Sequence, residues 1–261
     1  MKQQALVNIF DEVNELLSAL ADFLIESAAK AIKERGEFTL VLSGGNSPKK
    51  LYELLASPAY KHKIDWTKVY FFFGDERYVP ADDPENNGLM ATLTLFDVLP
   101  IPEDNIYMIN TALAPEHAAE SYFETIQSHF KEKPIRFDFI LLGLGDNAHT
   151  ASLFPYTSVL SEHKATVEAL FVKELKAFRI TFTAPLINQA VQAVFLVYGE
   201  GKANAVKQIL ESPYDPERYP AQLIQPNDGF VYWFLDKAAS SLCTHLIKKG
   251  GTPFLYTVSG V

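Results

Sequence analysis

Apolar positions recur along the chain in two periods, and the alternation between them organises it. Val7, Phe10, Val13, Leu17, Leu20, Leu24, Ala28 and Ala31 fall at helical spacing, which predicts a long amphipathic helix over 7–35 stopped by Gly36. Phe38–Leu42 is a short apolar run expected to be a buried strand, leading into Ser43-Gly44-Gly45-Asn46-Ser47-Pro48. Ser47 is a good N-cap and Pro48 a good first helical residue, so a helix is expected from there. Val69–Phe73 predicts a second strand, ending at Gly74-Asp75-Glu76-Arg77. A polar loop over 79–88, a helix over 89–99, a strand over 106–109 and a helix over 115–130 follow.

The run 137–142 predicts a strand that stops at Gly143-Leu144-Gly145-Asp146-Asn147-Ala148-His149, then a helix-compatible Thr150-Ala151-Ser152-Leu153. Beyond it, 169–172 and 178–182 read as a strand pair, Thr183-Ala184-Pro185 opens a helix, and 193–198 is a strand before a helix over 202–211. A loop over 213–220, a strand over 230–235 and a terminal helix over 236–248 complete the pattern. The apolar Pro253-Phe254-Leu255-Tyr256 either closes the fold as a strand or packs against a partner chain. Strands alternating with helices predict a parallel-dominated α/β sheet with helices on both faces, as one domain over 1–261.

Composition narrows the function. Of 261 residues, 48% are hydrophobic and 21% charged, enough for a sizeable core. A net charge of −9 argues against a nucleic-acid or anionic-membrane partner. A small anionic ligand remains compatible, because it needs only a local cluster of donors. The single Cys243 excludes an internal disulfide and fits a reducing cytoplasm. No signal peptide is read at the N-terminus, and no apolar run approaches a membrane span.

Three strand ends carry chemistry. The Ser43–Ser47 loop offers backbone N–H groups, hydroxyls and a helix N-terminus to an anion. Arg77 can grip a phosphate or carboxylate bidentately, with Asp75 and Glu76 placed to orient it or to accept bonds from hydroxyls. His149, expected where a helix begins, is a candidate general base because a neutral imidazole titrating near the working pH suits that role. Arg179, Thr181 and Lys202 lie near further strand ends, the first and last adding positive charge and Thr181 a hydroxyl. His62, His117, His129, His163 and His245 read as surface residues. No histidine pair has metal-ligand spacing beside a carboxylate, so no metal is expected.

These blocks, in this order, closely resemble the 6-phosphogluconolactonases. The resemblance is carried by Ser43-Gly44-Gly45-Asn46-Ser47-Pro48, by Gly74-Asp75-Glu76-Arg77-Tyr78-Val79-Pro80 with Asn87, and by Gly143-Leu144-Gly145 through His149-Thr150-Ala151-Ser152-Leu153-Phe154-Pro155. Arg179-Ile180-Thr181 with Asn188 and Gly201-Lys202-Ala203 also match. It implies the Rossmann-like fold shared with glucosamine-6-phosphate deaminase and ribose-5-phosphate isomerase. It also implies cofactor-free hydrolysis of 6-phospho-glucono-1,5-lactone in the oxidative pentose phosphate pathway. Carried over by position, Ser43, Gly44, Gly45 and Ser47 form the phosphate-side loop, and Arg77, Arg179 and Lys202 the cationic contacts. The catalytic set is His149 as base with Asn147 and Asp75. A cytoplasmic monomer or small homo-oligomer is expected.

The chain departs from the family where Asp-Gly-His is usual, having Asn147-Ala148-His149. Asn147 cannot act as a carboxylate, Asp146 is placed to compensate, and Ala148 implies that a positive φ is not required there. The deaminases of this fold carry a functional Glu in the loop where this chain reads Ser152-Leu153-Phe154-Pro155, which favours lactone hydrolysis over deamination. A deaminase or isomerase, or a non-catalytic sugar-phosphate-binding domain, is the alternative.

Overall fold

The computed structural model describes residues 4–131, 133–244 and 254–257. In chain order its elements begin with β1 (Gln4–Phe10), α1 (Val13–Arg35), β2 (Phe38–Leu42), α2 (Asn46–Leu55), β3 (Val69–Phe73), β4 (Asp75–Arg77), α3 (Asn87–Ala91) and α4 (Pro115–Phe130). They continue with β5 (Phe139–Leu142), β6 (Val167–Val172), β7 (Ala177–Phe182), α5 (Ala184–Ile187), β8 (Gln192–Val197), α6 (Ala203–Glu211), β9 (Phe230–Asp236) and β10 (Phe254–Thr257). The main sheet runs β10-β1-β9-β8-β5-β2-β3. Every neighbouring pair in it is parallel except β1 with β10. Helices flank it, as the alternating pattern predicts.

The central strands explain their own burial. β2 and β5 are buried at every position, as a parallel strand covered on both faces must be, so their sequences are apolar runs rather than alternations. Phe195 of β8 and Trp233 of β9 stack at 4.0 Å between ring centres. α1 lays Leu16, Leu20, Leu24, Ala28 and Ala31 against the sheet. It ends at Gly36, whose φ of 83° closes the last turn.

A second, antiparallel sheet, β4-β7-β6, stands beside the first. Gly74 is the pivot between them. Its N–H donates to the Leu42 carbonyl at the end of β2, and its carbonyl accepts from Phe182 N–H on β7. The chain thus leaves β3 and enters β4 within one residue.

Several expectations are corrected. Residues 4–10 are a strand, not the start of the long helix. Val7 and Phe10 fit a helical period, but Asp11 and Glu12 break it, and β1 gains a full ladder against β9. The segment 89–99 is the short α3 followed by a widened turn over Thr92–Phe96, with Asp97 N–H reaching Thr92 O. Ile106 makes a single parallel bridge to Phe71 and no strand. Residues 237–242 form turns rather than a helix; the remainder of that expected helix lies outside the described residues beyond 244. The apolar tail does form a strand, β10, on the edge of β1.

His129 is not a surface residue. It is half-buried among Tyr70, Phe72, Tyr107 and Phe130, with Nδ1 3.2 Å from the Tyr107 hydroxyl. Burial lowers its pKa below the usual imidazole value. The unfolded chain therefore takes up this proton at a higher pH than the folded one. The stabilisation is complete above about pH 6.5 and is lost as pH falls from there toward the lowered value. The urea midpoint is expected to drop between pH 7 and pH 5, and to drop less in His129→Phe.

Two strands that feed the site are locked by one carboxylate. Asp138, just before β5, accepts from the Thr39 N–H of β2 at 2.9 Å and from its hydroxyl at 3.0 Å, while Asp138 N–H donates to the same hydroxyl. Arg35 closes the pair from α1. Asp138→Ala strands a buried N–H, and the expected loss is about 2–3 kcal/mol in urea unfolding, with retained secondary structure.

Candidate active site

The carboxyl ends of β8, β5, β2 and β3 lie side by side, and each opens into a loop that carries predicted chemistry. Ligands in open α/β sheets bind at such an edge. A cleft of about 390 Å³ lies there. Ser43, Gly44, Gly45, Ser47, Asp75, Arg77, His149, Arg179 and Lys202 all line it. Asn147 does not; it contacts the His149 ring instead.

The β2 loop is held by Tyr52, whose hydroxyl accepts from Ser43 N–H at 3.0 Å and donates to Ser43 O at 2.8 Å. Gly45, at φ 100°, turns the chain so that α2 begins at Asn46. Ser47 therefore lies inside the first turn rather than capping it. The helix N-terminus still faces the cleft, with Asn46 and Ser47 in its lining.

From the β3 side, Asp75 is buried and its Oδ2 accepts from the Ser152 hydroxyl at 2.7 Å. Burial raises its pKa, against the Ser152 hydrogen bond and the nearby Arg77 and Arg179. Arg77 and Arg179 occupy directly opposed positions on β4 and β7. Arg77 Nη1 donates to Glu85 O at 2.7 Å and Arg179 Nη1 to Phe178 O at 3.1 Å. Neither guanidinium forms an ion pair among the described residues. Burial, and then the charge of Arg77, lower the pKa of Arg179.

Glu76 and Asn87 hold this side together. The Glu76 carboxylate is 2% exposed and accepts from the backbone N–H groups of Arg77, Asn87 and Gly88. Burial, opposed by these three bonds, pushes its pKa up to about 7. The Asn87 amide donates to Asp75 O at 2.9 Å and lies flat against Gly44, where an added Cβ would come within 1.9 Å of Asn87 Oδ1. The β2 loop and the Arg77 arm are thus one packed unit.

The central loop folds tightly rather than starting a helix. Gly145 N–H donates to His149 O at 2.8 Å and Ala148 N–H to Gly145 O at 2.9 Å. Ala148 has φ 64° and Ala151 φ 46°, so the positive φ that Ala148 seemed to make unnecessary is present. An alanine there carries the strain that a glycine would avoid. Thr150 and Leu153 make only an isolated bridge. The His149 ring stacks on Phe154 at 4.2 Å, and a Cβ on Gly145 would fall 2.0 Å from His149 Nδ1.

His149 Nδ1 is 2.5 Å from Asn147 Oδ1. An amide oxygen only accepts, so Nδ1 carries the proton and Nε2 keeps its lone pair. Asp146 does not replace the missing carboxylate: it pairs with Lys202 Nζ at 2.5 Å. The pKa of His149 is lowered to about 4, chiefly by burial, then by Lys202, with smaller effects of Arg179 and Arg77 opposed by Asp146. That corrects the expectation of an imidazole titrating near the working pH. The ring is neutral throughout the physiological range.

The model for glucosamine-6-phosphate isomerases/6-phosphogluconolactonase matches residues 11–233. The chain belongs to that family. A 6-phosphogluconolactonase from Synechocystis sp. is 46% identical over 214 residues, covering 80% of this chain and 86% of that one. One from Nostoc sp. is 38% identical over 239 residues, covering 90% and 97%. Among solved structures, a 6-phosphogluconolactonase from Trypanosoma cruzi superposes with a TM-score of 0.82 at 27% identity, over 94% of this chain and 98% of that one. A monomeric glucosamine-6-phosphate deaminase matches with a TM-score of 0.77 at 21% identity over 93% and 100%, a likeness of fold alone.

Sequence reasoning missed the roles of Ser152, Asn87 and Phe154 in this family member. Ser152 meets Asp75 across 77 positions, and no local pattern announces such a contact. Asn87 was visible only as a matching letter. Gly145→Ala should displace the His149 ring by about 1 Å or more. Turnover is expected to fall about 100-fold with far-UV circular dichroism unchanged; wild-type turnover in a folded variant would remove the packing argument.

Proposed function

We propose that this chain hydrolyses 6-phospho-D-glucono-1,5-lactone to 6-phospho-D-gluconate. The observation that carries the reading is the convergence in one cleft of a neutral imidazole, three cations and a helix N-terminus. The phosphate docks on the Ser43–Ser47 loop with Arg77, Arg179 and Lys202, which leaves the lactone carbonyl beside His149. His149 Nε2 takes a proton from water, and the hydroxide adds to C1. The negative charge on the carbonyl oxygen is held by a cation or by a backbone N–H of the Gly143–Gly145 turn other than that of Gly145, which is bonded to His149 O. As the intermediate collapses, the bond from C1 to the ring oxygen breaks and the imidazolium returns its proton to that oxygen. Asn147 fixes the ring tautomer. Asp75, held by Ser152, accepts a substrate hydroxyl or steadies the two arginines. Neither the chemistry nor the donor set calls for a cofactor.

Among the described residues no helix is long and apolar enough to cross a membrane. A cytoplasmic setting suits the single free Cys243.

The test is a coupled assay in which 6-phosphogluconate formation is followed above the spontaneous rate. Ammonia release from glucosamine 6-phosphate without lactone hydrolysis would replace this reading with the deaminase one. His149→Ala is expected to lower kcat by about two to four decades with little change in binding. Arg77→Ala is expected chiefly to raise KM; an unchanged KM removes Arg77 from the phosphate contacts.

A further inference from the structure

Among the described residues His149 lacks what most catalytic imidazoles have, a carboxylate to share the positive charge that proton uptake creates. Its ring partner is the amide of Asn147, which orients but does not neutralise. The adjacent carboxylate, Asp146, is already engaged by Lys202. The other charged groups lining the cleft are Arg77 and Arg179, opposed across the β4–β7 ladder, and Asp75, which is buried and bonded to Ser152. An imidazolium formed during turnover would thus be a further positive charge beside Arg77 and Arg179, which form no ion pair among the described residues, and beside Lys202, which Asp146 already balances.

We propose that the substrate's own phosphate completes the base: by neutralising Arg179 and Arg77 beside the Lys202–Asp146 pair, it lets His149 accept a proton that the free enzyme resists. This rests on the cleft being the phospholactone site, and it gives that site a second property. A phosphate group carries about −1.5 to −2 charges at neutral pH, comparable to the charge of the two guanidiniums it meets. Its docking offsets the field that these cations set at the imidazole. The low basicity of the free enzyme follows from burial and these same cations. The phosphate is then an activator as well as an anchor, and an unphosphorylated lactone loses turnover in addition to affinity.

The probe is D-glucono-1,5-lactone, which lacks the phosphate, given to the full chain with and without phosphite dianion. His149→Ala in the same buffer serves as the blank for buffer-catalysed opening. The expected result is a His149-dependent rate that phosphite raises at least about tenfold. Phosphite that competes with the phospholactone yet leaves the truncated lactone at its unstimulated rate overturns the proposal. The lactonase reading would survive that result, because it is judged on the phospholactone itself. Asn147→Asp separates charge from loop ordering. A fixed carboxylate on Nδ1 should raise the unstimulated rate and shrink the stimulation by phosphite several-fold; stimulation as large as in the wild type would also overturn the proposal.

Discussion

Positive charge held at a fixed spacing is the constraint on which the rest of this structure depends. Arg77 and Arg179 stand opposite one another on an antiparallel ladder, where like charges oppose folding by up to about 1 kcal/mol. Lys202 arrives from the end of β8, far away in sequence. The scaffold tolerates this because the small sheet is fixed from outside the cleft, by Gly74 bonded into both sheets and by the Glu76 carboxylate gripping three backbone N–H groups. Within a chain of net charge −9, the cleft is a local exception that concentrates field at one place. The surrounding acidity deters polyanions from the surface, while the cleft admits a single phosphate.

The same site is a backbone problem. The Gly145–His149 loop closes on itself through two backbone hydrogen bonds and forces Ala148 to a positive φ. That strain places the imidazole over the space a side chain at 145 would fill. Asn87 does the same for Gly44. In both places a side chain occupies the volume that a glycine leaves vacant, within one loop for His149 over Gly145 and between two segments for Asn87 over Gly44. The loops are thereby fixed by packing as well as by hydrogen bonds, which a reaction that depends on placement requires.

Much of this was legible in the sequence, and the gaps have physical causes. The strands β2, β3, β5, β8 and β9 read directly, because a buried parallel strand is an apolar run whatever its partners. The cleft residues read because each follows such a run, and their order along the chain carried the family resemblance. The strand β1 was hidden, because Val7 and Phe10 happen to sit in phase with the helix after them. The second sheet was half visible: β6 and β7 showed as a pair, but β4, three residues long, read only as the polar end of the preceding strand because its alignment is set by β7. Asn147 was read as unable to act as a carboxylate, and Ala148 as a sign that no positive φ is needed. In the structure Ala148 keeps the strained backbone and Asn147 keeps the contact to the ring, so only the charge has been given up.

That loss of charge bears on how the enzyme selects its substrate. A lactone is an activated acyl compound, and its opening needs a correctly placed water more than a strong base. A base paired with an amide is adequate for that task and remains unprotonated across the physiological range. Had His149 a carboxylate partner, its basicity would be a property of the free enzyme and equally available to any lactone that entered. With Asn147 in that place, the negative charge must come from elsewhere, and the ligand the cleft is built to hold carries it. Recognition and activation are then one electrostatic event. The discrimination is expressed in the transition state, where it accelerates the reaction, rather than in ground-state binding, where it would only slow release.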